Sequence, residues 1–490
     1  MNKHSVGRNY LLNLLSSVFN IILPIITTPY ISRTLGVANI GIYSFTYSYI
    51  TIFLLTGALG TATHGQRTIA IHRNNIVEKS KAFYEIFLLR CLSIGAAMIV
   101  FLITIWLYGK YYVFFILQLP YFIGAMLDIT WYFQGDDNFG VLVVRNIAFK
   151  LLGFFCILIF VRSEADLPKY VAILAISNMV GNISMWPLIK KSAVKISIKQ
   201  LDIAHHFRAT IVFFVPTLAY QLYTIIDKLL LGFLGNEVET GYYEQANKIV
   251  TLATTVLSSY NVVIRSKMNF VVNQYKSTGL EKYKEDAEQS LNRSIDLVLM
   301  LGCPIVTGIT VISSNLTGWF FGPGFDKVGL ILKVFGIMVL VNSFRGLLGS
   351  AVFNPLGIEM QRKANRAQWT AAIVNLILTA CLIPQFYSCG AVMASIVSET
   401  VILILYFMYA KEILPFRYIV RKTATFMAAA VIMAISICWI DRFINGIICT
   451  LIQIATGAAV YFLILFVFKE EFFNSLIHTA EEAVKKRAGR

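Results

Sequence analysis

Nine charged side chains sit inside stretches of the sequence that are otherwise apolar: Arg90, Asp128, Arg145, Lys150, Asp227, Lys228, Lys248, Arg345 and Glu399. Ionised groups in hydrocarbon cost about 2.5–3.5 kcal/mol each even on a lenient insertion scale, so such residues face a bundle interior or a watery cavity. Six of the nine are basic. A cavity of this sign concentrates anions, and guanidinium and ammonium groups are the side chains that hold phosphate and carboxylate. Arg90, Arg145, Lys150, Lys248 and Arg345 are therefore the expected anion-binding set. Asp128, Asp227 and Glu399 are expected either to couple transport to a proton or to pair with a neighbouring arginine; Arg90 and Arg145 are the candidates for Asp128. Arg145, Lys228 and Lys248 lie near span ends, where snorkelling to water is an equal alternative.

The sequence offers little else for catalysis. It contains no GxxxxGKS/T loop, no HExxH and no G-x-S-x-G, the patterns that would cradle ATP, hold a catalytic zinc or present a nucleophilic serine. The adjacent pair His205-His206 reads as part of a solvated basic connection rather than a metal site. The seven cysteines are odd in number, lack metal-ligand spacing and fall mostly in apolar stretches, as buried small hydrophobes do. No cofactor and no metal are expected. The chain is expected to move its substrate and not to be an enzyme.

The elements that position these charges follow from composition. Hydrophobic residues make up 57% of the 490 positions and charged residues 14%, with a mean hydropathy of +0.69. A soluble domain carries about 45–50% apolar and about 25% charged residues, so lipid must be the solvent here. The net charge of +16 points to basic membrane-flanking loops rather than to nucleic acid. Runs long enough to cross the bilayer, about 20 residues, number fourteen. They centre near Ile21, Ile50, Met98, Ile123, Phe154, Ser177, Leu218, Thr255, Ile309, Met338, Leu378, Val401, Ile432 and Ala459. Those around Ser177 and Thr255 are the most polar. The first run, from about Tyr10 to Ile31, is too long for a signal peptide and is read as a span.

Orientation tests the count. With both termini cytoplasmic, 31 of the 42 Lys and Arg fall in cytoplasmic segments, counting Arg145 and Lys150 at the start of the fifth span and Lys190-Lys191 after the sixth. Omitting one span would invert every later loop and destroy that asymmetry. The expected fold class is an all-α integral membrane protein of about fourteen transmembrane helices, multi-pass with both termini cytoplasmic.

An internal repeat is visible. The first span exits through Arg33-Thr34-Leu35-Gly36 and the next opens with Gly41-Ile42-Tyr43; the seventh exits through Gly232-Phe233-Leu234-Gly235, followed by Gly241-Tyr242-Tyr243. Trp106-Leu107-Tyr108-Gly109 closes the third span and Trp319-Phe320-Phe321-Gly322 the ninth. This predicts two parallel six-helix lobes, residues 1–200 and 201–413, with spans thirteen and fourteen at 414–468 and an amphipathic basic cytoplasmic tail at 469–490, suited to anionic membrane lipids. A substrate site between parallel lobes is the expected arrangement.

Three motifs carry a resemblance: Pro29-Tyr30-Ile31-Ser32-Arg33-Thr34-Leu35-Gly36 through Gly41-Ile42-Tyr43; Asp128-Ile129-Thr130-Trp131-Tyr132-Phe133-Gln134-Gly135; and Asp227-Lys228-Leu229-Leu230-Leu231-Gly232 with Gly241-Tyr242-Tyr243-Glu244-Gln245-Ala246-Asn247-Lys248. Over about residues 5–415 the chain resembles the bacterial polysaccharide and O-antigen flippases of the Wzx type, in the superfamily that also holds multidrug-and-toxin exporters and lipid II flippases. The resemblance implies translocation of undecaprenyl-diphosphate-linked oligosaccharide repeat units to the outer leaflet by alternating access. It implies a polysaccharide polymerase and a chain-length regulator as partners. A cation-coupled multidrug exporter is the alternative within the superfamily, disfavoured by the basic bias. A membrane glycosyltransferase or ligase is the alternative outside it, disfavoured by the missing acidic motif and extracytoplasmic domain.

Overall fold

A computed structural model of the chain describes residues 3–189 and 192–488. Lys190 and Lys191 lie outside the described residues, as do the side chains of Lys3, Arg8 and the Lys485-Lys486-Arg487 cluster. All regular structure among the described residues is helical, as a chain in hydrocarbon requires when each backbone group must find its partner within its own segment.

Contacts divide the chain into two compact units, Met1–Gly241 and Tyr242–Arg490. The first contains α1 (Lys3–Ala58), α2 (Thr61–Ile71), α3 (Ile76–Tyr108), α4 (Tyr112–Leu117), α5 (Pro120–Met126), α6 (Thr130–Gly135), α7 (Phe139–Phe160), α8 (Leu167–Ile183), α9 (Trp186–Ile189) and α10 (Ile203–Leu234). The second is built from α11 (Glu237–Ser258), whose first turn belongs to the first unit, then α12 (Tyr260–Thr278), α13 (Glu281–Phe320), α14 (Asp326–Phe335), α15 (Ile337–Leu348), α16 (Ile358–Tyr409), α17 (Phe416–Ile437), α18 (Gly446–Val467) and α19 (Glu471–Ala488).

The fourteen expected span centres each fall in a separate helical segment. Nine of the described helices are long and apolar enough to cross a membrane alone, and the pair α14 and Ile337–Phe353, bent by 42°, adds a tenth. Two of the nine hold two segments each, since α1 breaks at Gly36 (φ 72°) and α16 at Tyr387 (φ 52°), three residues after Pro384. The remaining two segments are α10 and the polar α11, where the sequence signal around Thr255 is weakest. The multi-pass, all-α architecture is thus as expected.

Helix ends follow local chemistry. Asn75 caps α3 by accepting from the backbone N–H of Val77 and Glu78 at 3.1 and 3.3 Å, which satisfies two of the first turn's orphan donors. Gly109 closes the same helix in the left-handed region and donates to Ile105 O, the usual glycine stop.

The repeat glycines have a packing reason. A Cβ on Gly41 would overlap the Glu237 carbonyl, and a Cβ on Gly241 would overlap that of Val37. The second half of α1 and the first turn of α11 therefore touch backbone to backbone through the two matching Gly-x-Tyr motifs, the close approach that only small residues permit between membrane helices. Gly41→Val is expected to remove most folded protein, because overpacking against backbone cannot be relieved by a rotamer change. Gly308, whose added Cβ meets nothing within 4 Å, serves as the control. Thermal melting by size-exclusion in detergent should show Gly308→Ala unchanged and Gly41→Val lost.

The tail docks through its first turn. Phe472 and Phe473 pack against the core of the second unit, with Phe473 stacked on Phe462 at 5.5 Å. At its root Lys422 pairs with Glu470, both buried.

Candidate substrate cavity

α7 begins after the polar turn Asp136-Asp137-Asn138 and runs unbroken to Phe160. At 1.5 Å per residue, Arg145 lies about 9 Å and Lys150 about 16 Å along it, so both belong inside the fifth span and not in the connection before it. Together they line a cavity of about 430 Å³ within the first unit, walled by α1, α7 and α8 and by Tyr47 and Tyr121. The remaining polar lining is neutral: Asn20, Thr27, Asn146, Ser177, Asn178 and Asn182. Among the described residues no carboxylate lines it.

Neutral amides hold the two cations without cancelling them. Arg145 Nη1 donates to Asn182 Oδ1 at 2.7 Å, and Asn182 in turn donates to Asn178 Oδ1 at 3.4 Å. Lys150 Nζ donates to Asn20 Oδ1 at 2.6 Å, across to α1. The Arg145 Nε–H is buried and makes no hydrogen bond among the described residues. An orphaned charged donor in a cavity is a costly arrangement unless an acceptor arrives. Tyrosines form one wall: Tyr47 meets Tyr121 edge-on at 5.3 Å and stacks on Tyr43 at 5.6 Å, while Tyr43 meets Tyr170 at 5.1 Å. Rings with a polar tip suit sugar faces and hydroxyls.

The other expected site residues stand elsewhere. Arg90, buried on α3, is fully engaged at the break between α5 and α6: Nε donates to Ala125 O at 2.7 Å, Nη1 to Thr61 Oγ1 at 2.9 Å and Nη2 to Asp128 Oδ2 at 3.3 Å. Asp128 Oδ1 accepts from Thr130 N at 2.9 Å, its carbonyl accepts from Trp131 Nε1 at 3.1 Å, and Leu127 O accepts from Trp186 Nε1 at 2.9 Å. A broken span frees backbone groups in a medium without water, and these side chains satisfy them. The Asp128–Gly135 motif is therefore a splice in the fourth span, pressed onto α2 where Trp131 covers Gly65 and Arg73 Nη2 donates to Gly135 O at 2.7 Å.

In the second unit Arg345 on α15 pairs with Glu399 on α16, Nε to Oε2 2.8 Å, and Glu399 is 0% exposed. Lys248 is half-buried on α11, and Asp227 is buried on α10. Of the five expected cations, Arg145 and Lys150 share one cavity.

The histidine reading needs correction. His206 is buried: it bonds Glu85 Oε2 through Nε2 at 2.9 Å and His64 Nε2 through Nδ1 at 2.8 Å. The solvated reading holds for His205, which is exposed, and fails for His206, because α10 starts at Ile203 and turns His206 inward. Nor does the sequence single out the tyrosine wall or the asparagines at Asn178 and Asn182; only their spacing of four, one helical turn on α8, was there to find.

The match to known proteins is extensive. A family model described as polysaccharide biosynthesis protein matches residues 6–264, over half of the chain. The chain belongs to the polysaccharide biosynthesis protein family. This bears out the Wzx-type resemblance carried by the three motifs. A protein of Escherichia coli (strain K12) assigned as an O-antigen transporter is 24% identical over 422 residues, covering 84% of this chain and 98% of that one. Among solved structures, the lipid II flippase MurJ in an inward closed conformation superposes with a TM-score of 0.73 at 15% identity, over 96% of this chain and all of that one. An inward-facing multidrug resistance transporter of the MATE family gives 0.59 at 13% identity, over 83% and 99%. At such identities these superpositions establish the fold: this polysaccharide biosynthesis family member shares the architecture of flippases and multidrug exporters alike.

Proposed function

We propose that the chain translocates undecaprenyl-diphosphate-linked oligosaccharide repeat units from the cytoplasmic to the outer leaflet for the synthesis of a surface polysaccharide such as O-antigen, capsule or exopolysaccharide. The observation that carries this reading is the cavity lined by both Arg145 and Lys150 of one helix, with amides and tyrosines and, among the described residues, no acid. Its volume falls in the range of about 300–1,000 Å³ usual for small-ligand sites, enough for a diphosphate with neighbouring sugar. The spare Arg145 Nε–H and the two remaining N–H donors of Lys150 suit phosphate oxygens, whose hydrogen bonds to charged donors are the strong ones. The O-antigen transporter and lipid II flippase among the similar proteins point to cargo of the same class.

The multidrug exporters share the fold, but a cavity lined by two cations and, among the described residues, no carboxylate repels a cationic drug. Nothing in this reading requires bond-making. The membrane is the bacterial inner membrane with both termini cytoplasmic, and a polymerase and chain-length regulator receive the product. Each charge crossing 100 mV is worth about 2.3 kcal/mol, so cargo with about two negative charges gains about 4–5 kcal/mol moving outward from a negative interior.

Deletion of the gene separates carrier from enzyme. The expected result is completed lipid-linked repeat units stranded on the cytoplasmic leaflet. Incomplete units would identify a synthetic enzyme instead.

A further inference from the structure

α7, which carries both cations, also has an exposed apolar side, and it is grooved where α7 meets α8. Near the start of α7 a crevice of about 430 Å³ lies between Val141, Val144 and Ser184–Leu188, the turn after α8 and the start of α9; near the end of α7 another, of about 380 Å³, lies between Leu152, Cys156, Phe160 and Ile173, Ile176, Val180 of α8, with Lys169 also lining it. On α7 these residues recur at intervals of three to four with one gap of about two turns, and Ile173, Ile176 and Val180 do so on α8, which places each set on one face; Ser184–Leu188 follow directly on α8 in the chain. The two crevices are therefore successive stretches of a single α7–α8 seam.

Each crevice shares residues with the polar cavity behind it. Arg145 and Phe149 line both the first crevice and the cavity. Ser177 lines both the second crevice and the cavity. The wall is thin because its residues are small: a Cβ on Gly153 would lie 3.2 Å from Ser177 Oγ, and one on Gly181 3.3 Å from the Phe149 ring. Lys150 stands one turn, about 5 Å along the helix axis, from Gly153 at the thin part of the wall, and Arg145 stands about 12 Å from it.

Resting on the proposed cargo, we propose that the α7–α8 seam is the track for its prenyl chain, with the diphosphate held at Arg145 and Lys150 and the polyprenyl tail passing through the wall at Ser177 into the crevices. The continuity of a cationic cavity with an apolar groove is what this amphiphile demands. A bulk phospholipid would cover the crevices but has no reason to share Ser177 and Arg145 with the cavity.

The test uses the purified full chain in phosphatidylcholine nanodiscs, a polyprenyl diphosphate carrying a diazirine on its chain, and a diazirine-acyl phosphatidylcholine as comparator, with labelled residues mapped by mass spectrometry. Label from the prenyl probe is expected to concentrate severalfold on α7 and α8 over α17 and α18, and to be suppressed by unlabelled undecaprenyl diphosphate. Ser177→Leu should lower it severalfold and Ser177→Ala should retain it; if the leucine variant fails to fold, the distribution on the unaltered protein decides. Competable label on other helices, with transport intact, would overturn the track and leave the carrier standing. Label spread like the comparator's would mean bulk lipid only, and would also overturn it. No competable label together with no transport would remove the cargo assignment and the track with it.

Discussion

Alanine at both Arg145 and Lys150 should cut transport by about 100-fold or more while leaving the amount of folded protein unchanged. Hydrogen bonds to charged groups contribute about 1.5–3 kcal/mol each, and about 1.4 kcal/mol is a factor of ten; losing both cations together therefore exceeds two decades. Folding should tolerate the change, because each cation hydrogen-bonds one neutral amide, Asn182 or Asn20, and Asp128, which also attracts Arg145, keeps its direct partner Arg90. Removing a cation hydrogen-bonded to an amide takes away its desolvation penalty along with one hydrogen bond. Arg145→Lys should fall between, keeping charge but losing the planar fork that meets phosphate. Rates in proteoliposomes, normalised to protein recovered by size-exclusion, decide the matter. Normal transport by the double variant would contradict the role of the cavity.

Arg345→Ala should act in the opposite way, through stability. Its partner Glu399 is completely buried, and breaking a buried pair by removing one member typically costs about 3–5 kcal/mol because the other charge is stranded. The variant is expected to melt early and to accumulate poorly. Arg345→Met combined with Glu399→Leu should recover the melting temperature, since well-packed apolar replacements of a buried pair are often neutral or better. Thermal melts of the single and double variants test this. An Arg345→Ala protein that melts like the parent would show that the pair is not structural.

These two outcomes divide residues that look alike in the sequence. Arg90, Arg145, Lys150 and Arg345 are all cations in apolar runs, and burial alone marks each as a binding candidate. What separates them is which acid comes near. Arg90 meets Asp128 and Arg345 meets Glu399 because of helix packing between positions far apart in the chain, which periodicity does not reveal. Arg145 and Lys150 hydrogen-bond amides, Asp128 attracting Arg145 only from beyond direct pairing, and their depth depends on where α7 starts, a boundary set by the turn at Asp136–Asn138. Span number, by contrast, was legible: hydrocarbon thickness fixes segment length, and even the kinks at Gly36 and Tyr387 left two apolar runs on either side. The Asp128–Gly135 motif was visible as a pattern, but its work as a splice in a broken span needed the positions of Arg90, Trp131 and Trp186. His206 was misread because the start of α10 decides whether its ring faces water or Glu85.

The central claim is translocation of a polyprenyl-diphosphate-linked glycan, and it is tested most directly by reconstitution. Purified protein is incorporated into liposomes containing a fluorescent undecaprenyl-diphosphate oligosaccharide in both leaflets, and a membrane-impermeant reductant is added outside. Without protein, the inner-leaflet half of the signal should stay protected. With the protein it should decay as probe crosses, and with the Arg145, Lys150 double alanine variant it should stay protected again. Protection equal to that of protein-free liposomes, in vesicles shown to contain folded protein, would contradict the claim.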